Sequence, residues 1–386
     1  MTTDQPGAGQ DGFRDWIERM VRPKALGRMI RPQTFDSAMA TAEFLPDVIE
    51  RQQNQKEFLL PIWEYLEIAV SEERVRNGRA AVRKWRELFN RVEQRFGVEP
   101  EVVAAIWGLE TGYGVVRGSY PTLSALATLA WRGSRSAFFE DELIAALRIV
   151  QAGNVKAERM LGSWAGAMGH GQFIPSSFLD FAVDFDGDNR RDIWSDDPTD
   201  AIGSIANYLA KHGWRRGQPW GYEVRLAEGF DYSMIGLDQA HPTSVWEDAG
   251  VQSTVAQGLP DYGVGSILLP AGHRGAAFMA LRNTHALLRY NNSEFYALGI
   301  GLLADRIGGG KGLAGTWPMA ERVLDRNEVQ EVQSLLTDHG FPTQGIDGFR
   351  GPNTTRAARA YQMAEGLVAD GNLSVELLEA LRQRAG

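Results

Sequence analysis

The stretch PEVVAAIWGLETGYG, from Pro100 to Gly114, reads as a single helix with both ends marked. Pro100 suits the first turn, where a missing N–H costs nothing. Val103, Ile106, Trp107 and Leu109 supply an apolar face, and Gly112 and Gly114 end the helix. Glu110 is thereby placed near the C-terminal end, one turn beyond Ile106 and Trp107. Apolar surroundings and the negative end of the helix dipole both favour a protonated carboxyl at that position. A carboxyl so held can act as a general acid near neutral pH. Read alone, the pattern also fits a surface carboxylate on an amphipathic helix.

Outward from this helix, the chain from Phe35 to about Asn207 is mainly helical. Ser71 to Phe96 and Ala137 to Ala152 repeat apolar residues at three- and four-residue spacing without internal proline. Between Trp214 and roughly Ala276 the texture changes to short runs such as GYEVRL and SILLP, separated by Gly, Pro and Asp, which predicts a small β-containing insertion. Helical periodicity returns from Ala277 to Ile307 and stops at GGGKGLAGTWP, Gly308 to Pro318, whose glycines read as a flexible connector. The remaining segment has room for three short helices, and two Asp-Gly turns flank the one carrying Ala357, Ala358, Tyr361 and Gln362. The expected fold is therefore mainly α. It comprises a flexible N-terminal segment (1–30), a helical domain with the β insertion (31–307), a linker (308–322) and a small three-helix domain (323–386).

With 386 residues, 44% of them hydrophobic, the chain has material for two folded units. Its net charge of −9 argues against a nucleic-acid or anionic-membrane partner, since Arg215-Arg216 is too short a basic patch for either. The absence of cysteine excludes disulfides, thiol catalysis and thiolate metal sites. The polar opening MTTDQPGAGQDG is not followed by an apolar run long enough for a signal peptide or a spanning helix, so the chain reads as soluble.

Two further stretches carry chemistry. SWAGAMGHGQFIPSSF, Ser163 to Phe178, combines small residues that let backbone approach a ligand with the amide donor and acceptor of Gln172. That suits a sugar bearing an N-acetyl group, or else a tight turn before a helix in which His170 is structural. DFDGDNRRD places carboxylates at Asp184, Asp186 and Asp188, the alternation of oxygen-rich calcium loops. Asn189 stands where an EF-hand has glycine and Ser195 where it has a bidentate glutamate, so a solvated acidic turn is the competing reading.

Taken in order, IWGLETGYG, SWAGAMGHGQFIPSSF, VDFDGDNRRDIW, DAIGSIANYLAKHGW and RYNNSEFYA resemble the family B lytic murein transglycosylases over about Phe35 to Ile307. The resemblance implies a lysozyme-like catalytic domain that cleaves the β-1,4 bond between N-acetylmuramic acid and N-acetylglucosamine in peptidoglycan, leaving 1,6-anhydro ends. It implies Glu110 as the catalytic acid and then base, with no cofactor needed for the chemistry. Ser163, Gln172 and Asn291 carry over as polar contacts, and Tyr296 as the tyrosine facing the glutamate. Tyr208 and Tyr290 carry over as groove aromatics, with Tyr65 and Phe139 as further candidates. For a structural calcium ion it points to Asp200 as the closing carboxylate beside Asp184, Asp186 and Asp188, with Arg190 giving its backbone carbonyl.

GIDGFRGPNTTRAARAYQMAEGLVADG resembles the small peptidoglycan-binding domain of wall-active enzymes; a helical capping domain is the alternative. The implied setting is the periplasm or cell envelope, with an export signal outside these residues. The implied partners are glycan strands and cell-wall synthesis proteins, and the implied state is a monomer. Two rivals stay open: a non-catalytic wall-binding scaffold, and a hydrolytic muramidase using Asp184 or Glu140 as a second carboxylate.

Overall fold

The computed structural model describes residues 9–53, 60–254 and 256–384. The chain divides into two compact units, Met1–Gln55 with Arg76–Lys211, and Lys56–Val75 with His212–Gly386.

At the centre of the first unit is the helix of the expected acid Glu110 (the acid helix), Pro100–Thr111, in which every residue from Val102 to Gly108 is buried. A helix apolar all round is a core helix, not an amphipathic one. The expectation of one apolar face is corrected accordingly: Ala104 and Ala105 also lie inward, and Leu109 is only half-buried. The acid helix packs against helices Arg86–Phe96 and Thr199–Lys211, while helices Thr122–Arg132 and Ser136–Gln151 form an adjacent pair. The run from Ser71 to Phe96 is two helices, Glu72–Lys84 and Arg86–Phe96, broken where Trp85 leaves helical geometry. A short antiparallel ribbon of β1 (Tyr120–Pro121) and β2 (Leu161–Gly162) ties the chain after the acid helix to the Gly-rich loop, with Tyr120 opposite Gly162.

The flexible segment expected over 1–30 is also corrected from Gln10 onward. Helix Gln10–Trp16, a π-helical turn and helix Arg22–Gly27 bury Phe13, Ile17, Val21 and Ala25 at four-residue spacing. That apolar row lies just beyond the polar opening. Burying Phe13 and Ile17 contributes roughly 1.5–3 kcal/mol each toward ordering the segment. Residues 1–8 lie outside the described residues.

In the second unit a five-stranded antiparallel sheet runs in the order β4-β6-β7-β3-β5, from β3 (Gly221–Arg225), β4 (His241–Pro242), β5 (Gln252–Ser253), β6 (Val264–Leu268) and β7 (Ala277–Ala280). The sequence placed Ala277 at a helix start, but AFMA pairs with both β3 and β6. A four-residue apolar run carries too little periodicity to separate strand from helix, and the helix begins at Arg282. Helix Ile62–Ala69 packs on helix Glu294–Ile307. Gly308 to Pro318 forms no helix or strand, yet it is not the loose connector expected. The buried Glu223 carboxylate accepts the amides of Ala314 and Gly315, and Trp317 stacks on Phe278.

The last three helices, Arg326–Asp338, Pro352–Ala364 and Val375–Arg384, close around Val329, Val332, Leu336, Ala358, Tyr361 and Leu378. Asp325 and Glu328 form a reciprocal capping box at the first. Each Asp-Gly turn is gripped by a buried glutamine. Gln333 donates to Asp347 and accepts from Gly348, and Gln362 does the same with Asp370 and Gly371. One side-chain amide thus satisfies both the aspartate and the following N–H of its turn, a fixed geometry that neither group would hold in water.

Candidate active site

Glu110 is the penultimate residue of the acid helix and is half-buried. Pro100 occupies the first turn, as its missing N–H allows, and Gly112 ends the helix in the left-handed conformation at φ 58°. The flanking residues of the last turn, Trp107 and Thr111, are buried, so the backbone carrying Glu110 is anchored on either side.

The Gly-rich loop folds back on itself through bridges from Gly162 to Met168 and from Met168 to Phe173. Ser163 organises it. Its Oγ accepts the amides of Ala165 (3.3 Å) and Ala167 (3.1 Å), and its own amide donates to the Ala167 carbonyl at 2.7 Å. Gln172 sits at φ 51°, a left-handed turn rare for a side-chain-bearing residue. Its Nε2 donates to the carbonyls of Gly169 (2.9 Å) and Arg117 (3.3 Å), tying the loop to the chain that leaves the acid helix.

The loop ends in helix Pro175–Phe181, whose N-terminus is capped from a distance. The buried Glu142 carboxylate accepts the Ser176 amide at 2.9 Å and the Ser176 hydroxyl at 2.7 Å. Burial pushes the Glu142 carboxyl above its ordinary range, and the two Ser176 bonds pull the other way. The sequence reading passed over Glu142. Its signal was a carboxylate on the apolar stripe of Phe139, Leu143 and Ala146, where a charge needs a partner.

Tyr208 is buried in helix Thr199–Lys211, edge-on to Phe181 at 4.6 Å and tilted against Phe173 at 5.8 Å. So buried, Tyr208 leaves the groove aromatics among which it was expected and supports the loop from within. Phe139 is likewise buried, edge-on to Phe138, and offers no open face for stacking, which removes it from the groove candidates. In the second unit, Tyr290 ends helix Arg282–Tyr290 and lies parallel to Tyr296 at 6.3 Å and 8°. Asn291 follows on the surface, and Ser293 caps the next helix by accepting the Tyr296 amide. Tyr65 packs against Phe295 at 6.0 Å.

In the acidic loop, ligand atoms of Asp184, Asp186 and Asp188 lie within 4.8 Å of one another, a spacing that suits a hard cation. Asn189 adopts φ 68°, the left-handed turn needed in place of glycine. Arg190 donates its amide to Asp188. Asp200 stands apart from that cluster. Its buried carboxylate accepts the amides of Phe185 (2.7 Å), Asp186 (3.3 Å) and Asp192 (2.8 Å), so it staples the two ends of the loop together. Burial raises its proton affinity, and the three amides oppose that rise.

A family model described as a transglycosylase SLT domain matches residues 12–305, and one described as a peptidoglycan binding domain matches 325–381. Membrane-bound lytic murein transglycosylase B of Escherichia coli is 32% identical over 313 residues, 78% of this chain and 83% of that one. The crystal structure of SltB3 from Pseudomonas aeruginosa, in complex with NAG-anhNAM-pentapeptide, is 46% identical. It superposes with a TM-score of 0.90 over 96% of this chain and 99% of that one. The E. coli lytic transglycosylase Slt35 in complex with calcium is 31% identical, with a TM-score of 0.65 over 78% of this chain and 94% of that one.

Proposed function

The chain belongs to the SLT-domain family of peptidoglycan lytic transglycosylases, and from that premise we propose that Glu110 alone carries the proton transfers of glycan cleavage. Protonated Glu110 gives its proton to the glycosidic oxygen between N-acetylmuramic acid and N-acetylglucosamine. The resulting carboxylate takes the proton of the muramyl 6-hydroxyl, which attacks its own anomeric carbon and closes a 1,6-anhydro ring. No water enters the cycle.

The observation that carries this reading is the commitment of the rival carboxylates. A hydrolase needs a second carboxylate to activate water or to attack the sugar. Glu140 is held by Lys24, whose Nζ lies 2.7 and 2.8 Å from its two oxygens. Asp184 accepts the amides of Gly187 and Asn189 on its two oxygens. Glu110 keeps the half-buried position at a helix C-terminus that suits an acid.

Ser163 and Gln172 hold the N-acetyl sugar in this reading. Their loop-forming bonds use the serine oxygen and the glutamine nitrogen, leaving the serine hydrogen to donate and the glutamine oxygen to accept. By resemblance Asn291 and Tyr296 are further polar contacts to the glycan, Tyr290 and Tyr65 are surfaces for sugar faces, and Tyr208 supports the Gly-rich loop from beneath. Asp184, Asp186, Asp188 and the Arg190 carbonyl would hold a structural calcium ion, as the calcium complex of Slt35 suggests. When bound, that ion would neutralise the clustered carboxylates; it has no part in the proton cycle. The three C-terminal helices anchor the enzyme to its insoluble substrate, raising its local concentration there. The setting is the cell envelope, with cell-wall synthesis proteins as neighbours; no described helix is long and apolar enough to cross a membrane. The test is Glu110→Gln on purified sacculi. The reading expects loss of glycan release with unchanged thermal stability, and release at the parental rate would overturn it.

A further inference from the structure

His170 is buried in the Gly-rich loop, and the mechanism above does not use it. Its ring is held from both sides. Trp107 donates its indole N–H to Nδ1 at 2.9 Å, and Nε2 lies 2.8 Å from the Ser195 carbonyl. An indole nitrogen can only donate and a carbonyl can only accept, so the partners fix the neutral ring with its proton on Nε2. The backbone of His170 is held as well. Its carbonyl accepts the Thr111 hydroxyl at 2.9 Å, and its amide donates to Ile193 at 3.0 Å. Thr111 Oγ1 in turn accepts the Gly114 amide at 3.1 Å. Trp107 and Thr111 precede and follow Glu110 on the last turn of the acid helix, and both are bonded to this one histidine. Gly114 confirms how closely the parts fit, because a Cβ there would lie 2.4 Å from the His170 ring.

We propose that His170 is a positioning residue for Glu110, a neutral histidine that locks the last turn of the acid helix to the segment following the acidic loop and releases it on protonation. The proposal rests on Glu110 being the catalytic acid. Protonation would place an N–H on Nδ1 facing the N–H of Trp107, donor against donor, so the Trp107 bond would be lost and only the Thr111 bond to the His170 carbonyl would still hold the turn. The charged groups around the ring are Arg117 from the chain after the acid helix, Asp192 at the end of the acidic loop and Asp196 from the segment beyond it. Lys84 lines the same small open recess, as does Tyr113. Arg117 places Nη1 3.3 Å from Nε2 while donating to the carbonyls of Trp194 and Ser195 and pairing with Asp196 at 2.6 Å. Burial, with Arg117 adding to it, lowers the proton affinity of the ring, whereas the Ser195 bond and the two aspartates oppose this. The lock therefore holds at neutral pH and opens only in acid.

Two variants of the full chain test it, assayed on soluble glycan fragments across pH. His170→Gln keeps an acceptor and a donor but cannot titrate; His170→Phe keeps the ring and loses both. A loosened acid should cost turnover, not affinity, because small misplacements of a catalytic group weigh on the chemical step by as much as about a hundredfold. His170→Phe should lower kcat about tenfold or more with KM within about twofold. His170→Gln should stay within about threefold of the parent at neutral pH and lack the parent's extra loss of kcat in acid. The indole N–H resonance of Trp107, assigned by its absence in Trp107→Phe, reads the bond without reference to catalysis. It should move in His170→Phe and titrate in the parent but not in His170→Gln. A Trp107 resonance indifferent to both variants and to pH overturns the lock, as do identical acid limbs in parent and His170→Gln. If Glu110→Gln stays active while the Trp107 resonance titrates, the fault lies with the acid assignment and not with the lock.

Discussion

Asp200 holds the acidic loop through three backbone amides, and replacing it with asparagine separates its role as a staple from a role as a metal ligand. Asparagine keeps one oxygen. Turned toward Phe185 and Asp186, that oxygen preserves their two bonds and sets the new NH2 against the Asp192 amide, which the carboxylate met at 2.8 Å. A buried donor left unsatisfied costs about 1–3 kcal/mol. The lost charge adds to this, because a carboxylate makes the stronger bonds, and relief from burying that charge subtracts from it. The net expectation is about 1–3 kcal/mol, which lowers the unfolding midpoint of a unit of this size by roughly 2–4 °C per kcal/mol. Calorimetry with and without a chelator is the assay. A staple loses its several degrees in both conditions, whereas a calcium ligand loses them only when calcium is present. A midpoint within a degree of the parent under chelation would refute the staple.

Gly114→Ala forces a Cβ onto the His170 ring at φ 88° and should cost about 2–4 kcal/mol, read as a fall in the denaturant midpoint. Glu142→Gln can still accept the Ser176 amide and give an N–H to its hydroxyl, but it carries no charge. Burial raises the native pKa of Glu142 above its unfolded value, so the stabilising effect of its protonation is complete below the unfolded pKa and is lost as pH rises through the native one. The glutamine variant should accordingly exceed the parent in Tm at pH 7, and the gain should vanish in acid; equal Tm values at all pH would contradict this. Glu223→Gln trades an oxygen facing the Ala314 and Gly315 amides for an NH2, and should speed proteolytic nicking within Gly308 to Pro318 several-fold.

What could be read from residue order was what residue order decides. Pro100 and Gly112 mark the acid helix because capping is local, and the same holds for the two Asp-Gly turns of the C-terminal helices. The grip on those turns was hidden, since Gln333 and Gln362 differ from surface glutamines only in where the chain carries them. The same limit applies to the bond from Trp107 to His170, which spans 63 residues. Asp200 was singled out by resemblance as an oxygen ligand, and nothing nearby in sequence told that its oxygens would be taken by amides. The errors at Gln10–Gly27 and Ala277–Ala280 have a common cause: short apolar rows next to Gly-rich or polar text are settled by tertiary partners such as β3 and β6, which local pattern does not contain.

The central claim is that one carboxyl group suffices because the sugar supplies its own nucleophile. The most direct measurement is mass spectrometry of glycan fragments released in heavy-oxygen water. The account predicts anhydro ends lacking one water and carrying no label, and none released by Glu110→Gln. Labelled reducing ends would contradict it.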